Sequence, residues 1–136
     1  MSYRDAGDLQ AAIHARLTGD TALMALVAGA VFDAVPEGRA PDVYLALGAE
    51  EVTETRDHDG AIMRHRIDLS AIGKAESFAQ VKAVAAAAEA ALRAAPLTAP
   101  GLNIMDMWLE RVRATRGKHP ARRRIDMRIT VLLDQN

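Results

Sequence analysis

The 136-residue sequence predicts an α+β fold: a mainly antiparallel sheet packed by one long helix, preceded by an N-terminal helix pair. Three observations carry this. Residues 61–73 and 124–133 alternate apolar and polar side chains, the period of a strand with one buried face. The stretch "DHDG" at 57–60 is a hairpin-turn signal, because Asp-Gly accepts positive φ. Finally, "KAESFAQVKAVAAAAEAALRAA" places Phe78, Val81, Val84 or Ala85, Ala88 and Leu92 at helical spacing, with alanine supplying high propensity.

Taken in order, "SYRDAGDLQAAIHARLTGD" opens with Ser2 three residues before Asp5, a variant of the capping box. Leu9, Ala12, Ile13 and Leu17 mark one helical face, and Gly19 stops the helix. "DTALMALVAG" reads as a second, short helix with Asp20 as N-cap and Gly29 as its stop. Pro36, Gly38 and Pro41 make the following stretch a connector, extended only at Val31 and Phe32. "VYLALG" is a short buried strand, and Glu50 to Arg56 an exposed one that enters the hairpin. On the return strand Met63, His65, Ile67, Leu69 and Ala71 share the packed face, and Arg64, Arg66, Asp68 and Ser70 the wet one. Pro96 and Pro100-Gly101 end the long helix, after which Leu102–Thr115 and Arg124–Leu133 read as two long strands joined by a basic loop. Ile125, Met127, Ile129, Val131 and Leu133 all point one way. Residues 1–136 form one domain, with no internal repeat or dividing linker.

Composition narrows the function. With 50% hydrophobic and 26% charged residues the chain can fold without disulfides or metal, and the absence of Cys excludes sulfur redox chemistry and thiolate metal sites. No leader pattern or membrane-length apolar run occurs, which predicts a soluble intracellular protein. The net charge of −1 hides an asymmetry, since residues 1–60 carry −7 and residues 61–136 carry +6. Such polarity suits subunits that meet acidic face to basic face, or attachment to an acidic polymer.

The search for chemistry returns little. His14, His58, His65 and His119 have no metal-site spacing, and no phosphate loop, nucleophile elbow or HExxH motif occurs. Asp57, His58 and Asp59, with His65 nearby, offer a weak metal-dependent hydrolase reading that turn chemistry explains better, and Asp57, His58 and Asp59 are expected at a partner or subunit contact. A non-enzyme without cofactor is therefore expected. Trp108 shares strand parity with Leu102, Ile104 and Asp106 and is expected in the core. Met105, Met107 and Leu109 then occupy the opposite face, expected to be covered by another subunit. The stretch "RGKHPARRR" at 116–124 carries six basic residues but neither aromatics for stacking nor a helix for a major groove. Alternation moreover sets Arg123 against Arg122 and Arg124. Arg116, Lys118, His119, Arg122 and Arg123 are accordingly expected to form a protein-contact tip, with a nucleic-acid-binding adaptor as the alternative.

Read in order, the chain resembles the phage tail completion or tail terminator family, similar to the lambda tail terminator. The resemblance rests on "LQAAIHARLTGDTALMALVAGAVFDAVPEGRAPDVYLALG", on "DGAIMRHRIDLSAIGKAESFAQVKAVAAAAEAAL", and on "RVRATR" where the last hairpin begins. It implies a structural virion protein: a hexameric ring, assembled in the bacterial cytoplasm, that caps the head-proximal end of a long non-contractile tail tube and stops its polymerisation. Implied partners are further copies of the chain, the tail tube protein and a head–tail connector or stopper protein, with DNA only passing through the bore and no membrane. The basic tip departs from the acidic or glycine-containing tip frequent in the family. Heavy alanine and arginine usage suits a GC-rich bacterial genome, and the resemblance extends to the tail terminator of a gene transfer agent.

Overall fold

A computed structural model describes residues 2–34, 38, 41–117 and 122–135. Helices α1 (Ala6–Thr18) and α2 (Thr21–Val27) lead into β1 (Val31–Phe32), then the hairpin β2 (Val43–Asp57) and β3 (Gly60–Lys74). A single 3-10 turn introduces α3 (Phe78–Arg93), and β4 (Ile104–Gly117) with β5 (Arg122–Asp134) completes the chain. The sheet order is β1-β2-β3-β5-β4, antiparallel throughout except for the short parallel pair β1–β2. This is the expected α+β domain.

One side of the sheet carries the helices. Leu9, Ile13 and Leu17 of α1, Leu23 and Val27 of α2, and Val81, Val84, Ala88 and Leu92 of α3 pack on Leu45, Met63, Ile67, Leu69, Met127, Ile129 and Val131. The alanines of α3 let the helix come close, and the sheet answers with Gly73, where an added Cβ would stand 2.5 Å from Val81 Cγ2. Among the described residues no helix lies over the other side of the sheet. A small apolar cluster there, Tyr44, Ala46 and Ile72 with Phe32 against them, closes the corner beside β1.

Several local expectations change. Asp5 makes no side-chain cap on α1; its Oδ2 instead accepts a hydrogen bond of 2.7 Å from Gln135 Nε2, tying the first helix to the chain's last strand. Asp20 does cap α2, accepting from the Leu23 amide at 2.8 Å. Helix α2 ends on two left-handed residues, Ala28 at φ 50° and the expected Gly29 at φ 78°, the latter's amide donating to the Met24 carbonyl at 3.2 Å. Helix α3 is shorter than the pattern at 74–95, and Arg16 of α1 binds its far end, its guanidinium donating to the carbonyls of Leu92, Ala95 and Pro96 at 2.8 to 3.2 Å. Those are carbonyls without helical partners at the negative end of the helix dipole, so a cation from another element fits there.

The strands also run longer and less regularly. The two pieces expected at 43–48 and 50–56 are one strand with a bulge between Leu47 and Glu50. Strand β4 has two more, between Ile104 and Asp106 and between Leu109 and Arg111. Each extra residue reverses which side the following side chains face.

Candidate functional site

The first bulge in β4 overturns the predicted faces from Asp106 to Leu109, and the second restores the pattern from Arg111 onward. Met107 and Leu109, expected on an outer contact face, lie on the helix side with Ile104, half-buried against the core beside Leu92, Met127 and Ile129. Trp108, expected in the core, lies half-exposed on the open side, directly across from the fully buried Thr130. Met105 is the bulged residue and is 51% exposed, so of the three proposed contact residues it alone is free. Beyond the second bulge Val112, on this edge strand, is 53% exposed.

The basic stretch is mostly strand. Arg116 stands exposed at the end of β4, opposite Arg123. Arg123 is held within the molecule: its guanidinium lies 4.5 Å from the Phe78 ring and its Nε donates to the Ala75 carbonyl at 3.4 Å. This anchors β5 to the start of α3, a stacked cation–π contact for which a planar guanidinium is suited, and removes Arg123 from a free tip. Arg122, on the opposite face as alternation requires, is half-buried, and its Nη1 has no partner among the described residues. Lys118 and His119 lie outside the described residues.

The hairpin residues do not converge with the histidine. Asp57 Oδ1 accepts from the Asp59 amide at 2.8 Å, an Asx-type turn, and His58 is exposed beside it. His65 pairs with Val52, five residues along the strand from the Asp57–Gly60 end, or roughly 17 Å at strand rise. It is wholly buried on the helix side, with Nδ1 3.5 Å from Glu50 Oε2, while the Tyr3 hydroxyl donates to the other oxygen of Glu50. That hydrogen bond, with the repulsion between carboxylate and phenolate, holds the Tyr3 phenol above its ordinary range. No group of three or more His, Cys, Asp or Glu able to hold a metal occurs among the described residues.

The largest concentration of chemistry is the open face. Register places Arg64 and Arg66 of β3, Arg122, Arg124 and Arg128 of β5, and Arg111 and Arg113 of β4 on it. Arg128 pairs with Asp68 at 3.3 Å, Arg124 with Asp126 at 2.9 Å, and Arg66 with Glu110 at 3.3 Å. Ser70 joins the second pair by donating to Asp126 and accepting from Arg124 at 3.3 Å. An open groove of about 370 Å³ runs between Gly48, Asp68, Arg111, Arg113, Arg124 and Asp126. Arg111 and Arg113 form no ion pair or hydrogen bond among the described residues. Guanidinium groups stay protonated at neutral pH, so what the arginines of this face offer is positive charge and planar paired donors, chemistry suited to carboxylates or phosphates. The alternation of β3 and β5 already pointed to this wet side, and because the two bulges of β4 cancel, strict alternation also sets Arg111 and Arg113 on the face opposite Ile104.

The sequence profile of "Tail completion protein gp17" matches residues 11–134. The chain belongs to that family. Its members are structural components of the phage tail, which agrees with a face built to bind other molecules. A chain of a solved structure described as "Virion of native gene transfer agent (GTA) particle" shares 39% identity with a TM-score of 0.86, over 97% of this chain and 98% of that one. No curated protein matches the sequence.

Proposed function

We propose that the protein forms a hexameric ring that caps the head-proximal end of a long non-contractile tail tube, ends its polymerisation and joins it to the head connector or stopper. The observation that supports this reading most is the family match across residues 11–134, joined by a fold shared over nearly its whole length with a chain of a gene transfer agent virion. Its place is then the virion, after assembly in the bacterial cytoplasm, with a gene transfer agent as the source. The protein needs no catalytic residue or cofactor for this work. The test is to mix purified protein with tail tubes and image them: six-fold rings at one end of each tube, and tubes that stop growing, are expected. Tubes that elongate unchanged, with bare ends, would exclude the capping role.

The open arginine face favours one second reading, a nucleic-acid-binding adaptor in which Arg111 and Arg113 extend the basic stretch at 116–124. Phosphate contacts release counterions, so the logarithm of duplex affinity should fall against log salt with a slope of about −0.9 per phosphate neutralised. Tight, steeply salt-dependent duplex binding without tube capping selects the adaptor.

A further inference from the structure

Two edges of the sheet are open, and they carry opposite charge. At one side β4 is the last strand, with no neighbour beyond it among the described residues. At the other, β1 pairs with β2 only at Leu45 and Ala46, so β2 from Leu47 to Asp57 has no outer backbone partner among the described residues. That stretch carries Glu50, Glu51, Glu54 and Asp57 with Arg56; Glu50 is engaged by Tyr3 and His65 and Glu54 by Arg56 on the helix side, while Glu51, on the open face, is exposed with no ion pair among the described residues. Beyond its second bulge β4 runs regularly from Arg111 to Gly117 and carries Arg111, Arg113 and Arg116 with no acidic residue. Unpaired N–H and C=O groups along a long edge are a template for another strand, and proteins normally cover or blunt them.

We infer that β4 of one copy of this chain adds to the free half of β2 in the next copy, so that the sheets join edge to edge around a ring. This rests on the ring reading above. The strand directions permit it: β2, β3, β5 and β4 alternate, so β4 meets a rotated copy's β2 antiparallel. A head-to-tail contact needs two different complementary surfaces, which the acidic and basic edges supply. The stagger fits as well. Trp108 is level with Glu51 across the sheet, and Arg113 lies four ladder positions further along β4. Sliding by four positions, roughly 13 Å over four strands about 4.8 Å apart, corresponds to a strand tilt near 35°, within the range of closed sheets. It sets Arg113 beside Glu51 on the open face.

The chain contains no cysteine, so a cross-link reports only what is introduced. Glu51→Cys is combined in one chain with Arg111→Cys, Arg113→Cys or Thr115→Cys, all on the open face. Directly opposed residues of antiparallel strands bring Cα atoms within disulfide reach. Oxidation of at least one pairing should give a ladder ending at the closed ring, which Glu51→Cys alone cannot form. Charge provides an independent arm: Glu51→Arg, and Arg111→Glu with Arg113→Glu, should each lower ring assembly at least tenfold, while an equimolar mixture restores it by alternating the two chains. Cooperative thermal unfolding checks that each variant is folded. Wild-type rings that persist by native mass spectrometry, with no ladder from any pairing and no rescue on mixing, overturn the edge contact and leave the ring reading standing. Absence of rings both in solution and on tubes overturns both.

Discussion

On the helix side of the sheet Leu69, Met127, Ile129 and Val131 lose essentially all contact with water, whereas on the other side Arg64, Arg66, Arg124 and Arg128 of the same two strands stay partly exposed. Both sides come from one alternating pattern, yet different forces organise them. The first is held by removal of apolar surface, about 25 cal/mol per Å² buried. The second is a lattice of ion pairs in high dielectric, each contributing about 0 to 1 kcal/mol, which sets the position of charges more than it stabilises the fold. A family whose work is assembly can therefore keep its stability on one face and its recognition on the other. A change on the arginine side has little to lose in folding.

Four tests break or sharpen that contrast. Leu69→Ala removes a fully buried side chain and should cost about 2–5 kcal/mol in denaturant unfolding, whereas Arg113→Ala should stay within about 0.5 kcal/mol. Equal losses at the two sites would erase the distinction. Next comes Met107→Glu, which puts a carboxylate against the half-buried edge of the core and should destabilise the monomer by about 1–3 kcal/mol. Met105→Glu, at the exposed bulge, should leave the melting temperature close to wild type; the reverse ranking would restore the face assignment that strict alternation predicts. Arg16→Ala frees the last carbonyls of α3 and should cost about 1–2 kcal/mol, with hydrogen exchange quickening first around Leu92. The smallest effect belongs to the open face itself: a double-mutant cycle on Asp68 and Arg128 should give a coupling of about 0.2–1 kcal/mol that shrinks in molar salt. A salt-insensitive coupling of several kcal/mol would show that the pair is part of the fold's foundation.

Much of this was legible in residue order. The buried sets of β3 and β5, the core face of α3, the Asp20 cap and the turn at 57–60 follow from periods and turn chemistry that act within a few residues. Errors gathered in β4. Its Ile104-to-Trp108 parity assumes an unbroken pleat, and a bulge leaves no mark in a strand whose apolar residues occupy both parities. The candidate contact set divided there too, Met105 remaining outside while Met107 and Leu109 turned inward; Arg123 was lost to the set for a different reason, a contact with Phe78, 45 residues earlier in the chain.

The sequence by itself determined the class of fold, the elements and their order, the lack of any recognisable catalytic pattern and the resemblance to tail completion proteins, because local propensity and alternation need only near neighbours. Tertiary structure decided which face Asp106 to Leu109 joined, that Arg16 would end α3, that the three arginine-bearing strands would lie side by side, and that the acidic and basic edges would lie on opposite sides of the sheet. These depend on sheet order and on where the ladder slips, which arise from pairing between distant segments, and no local pattern encodes them.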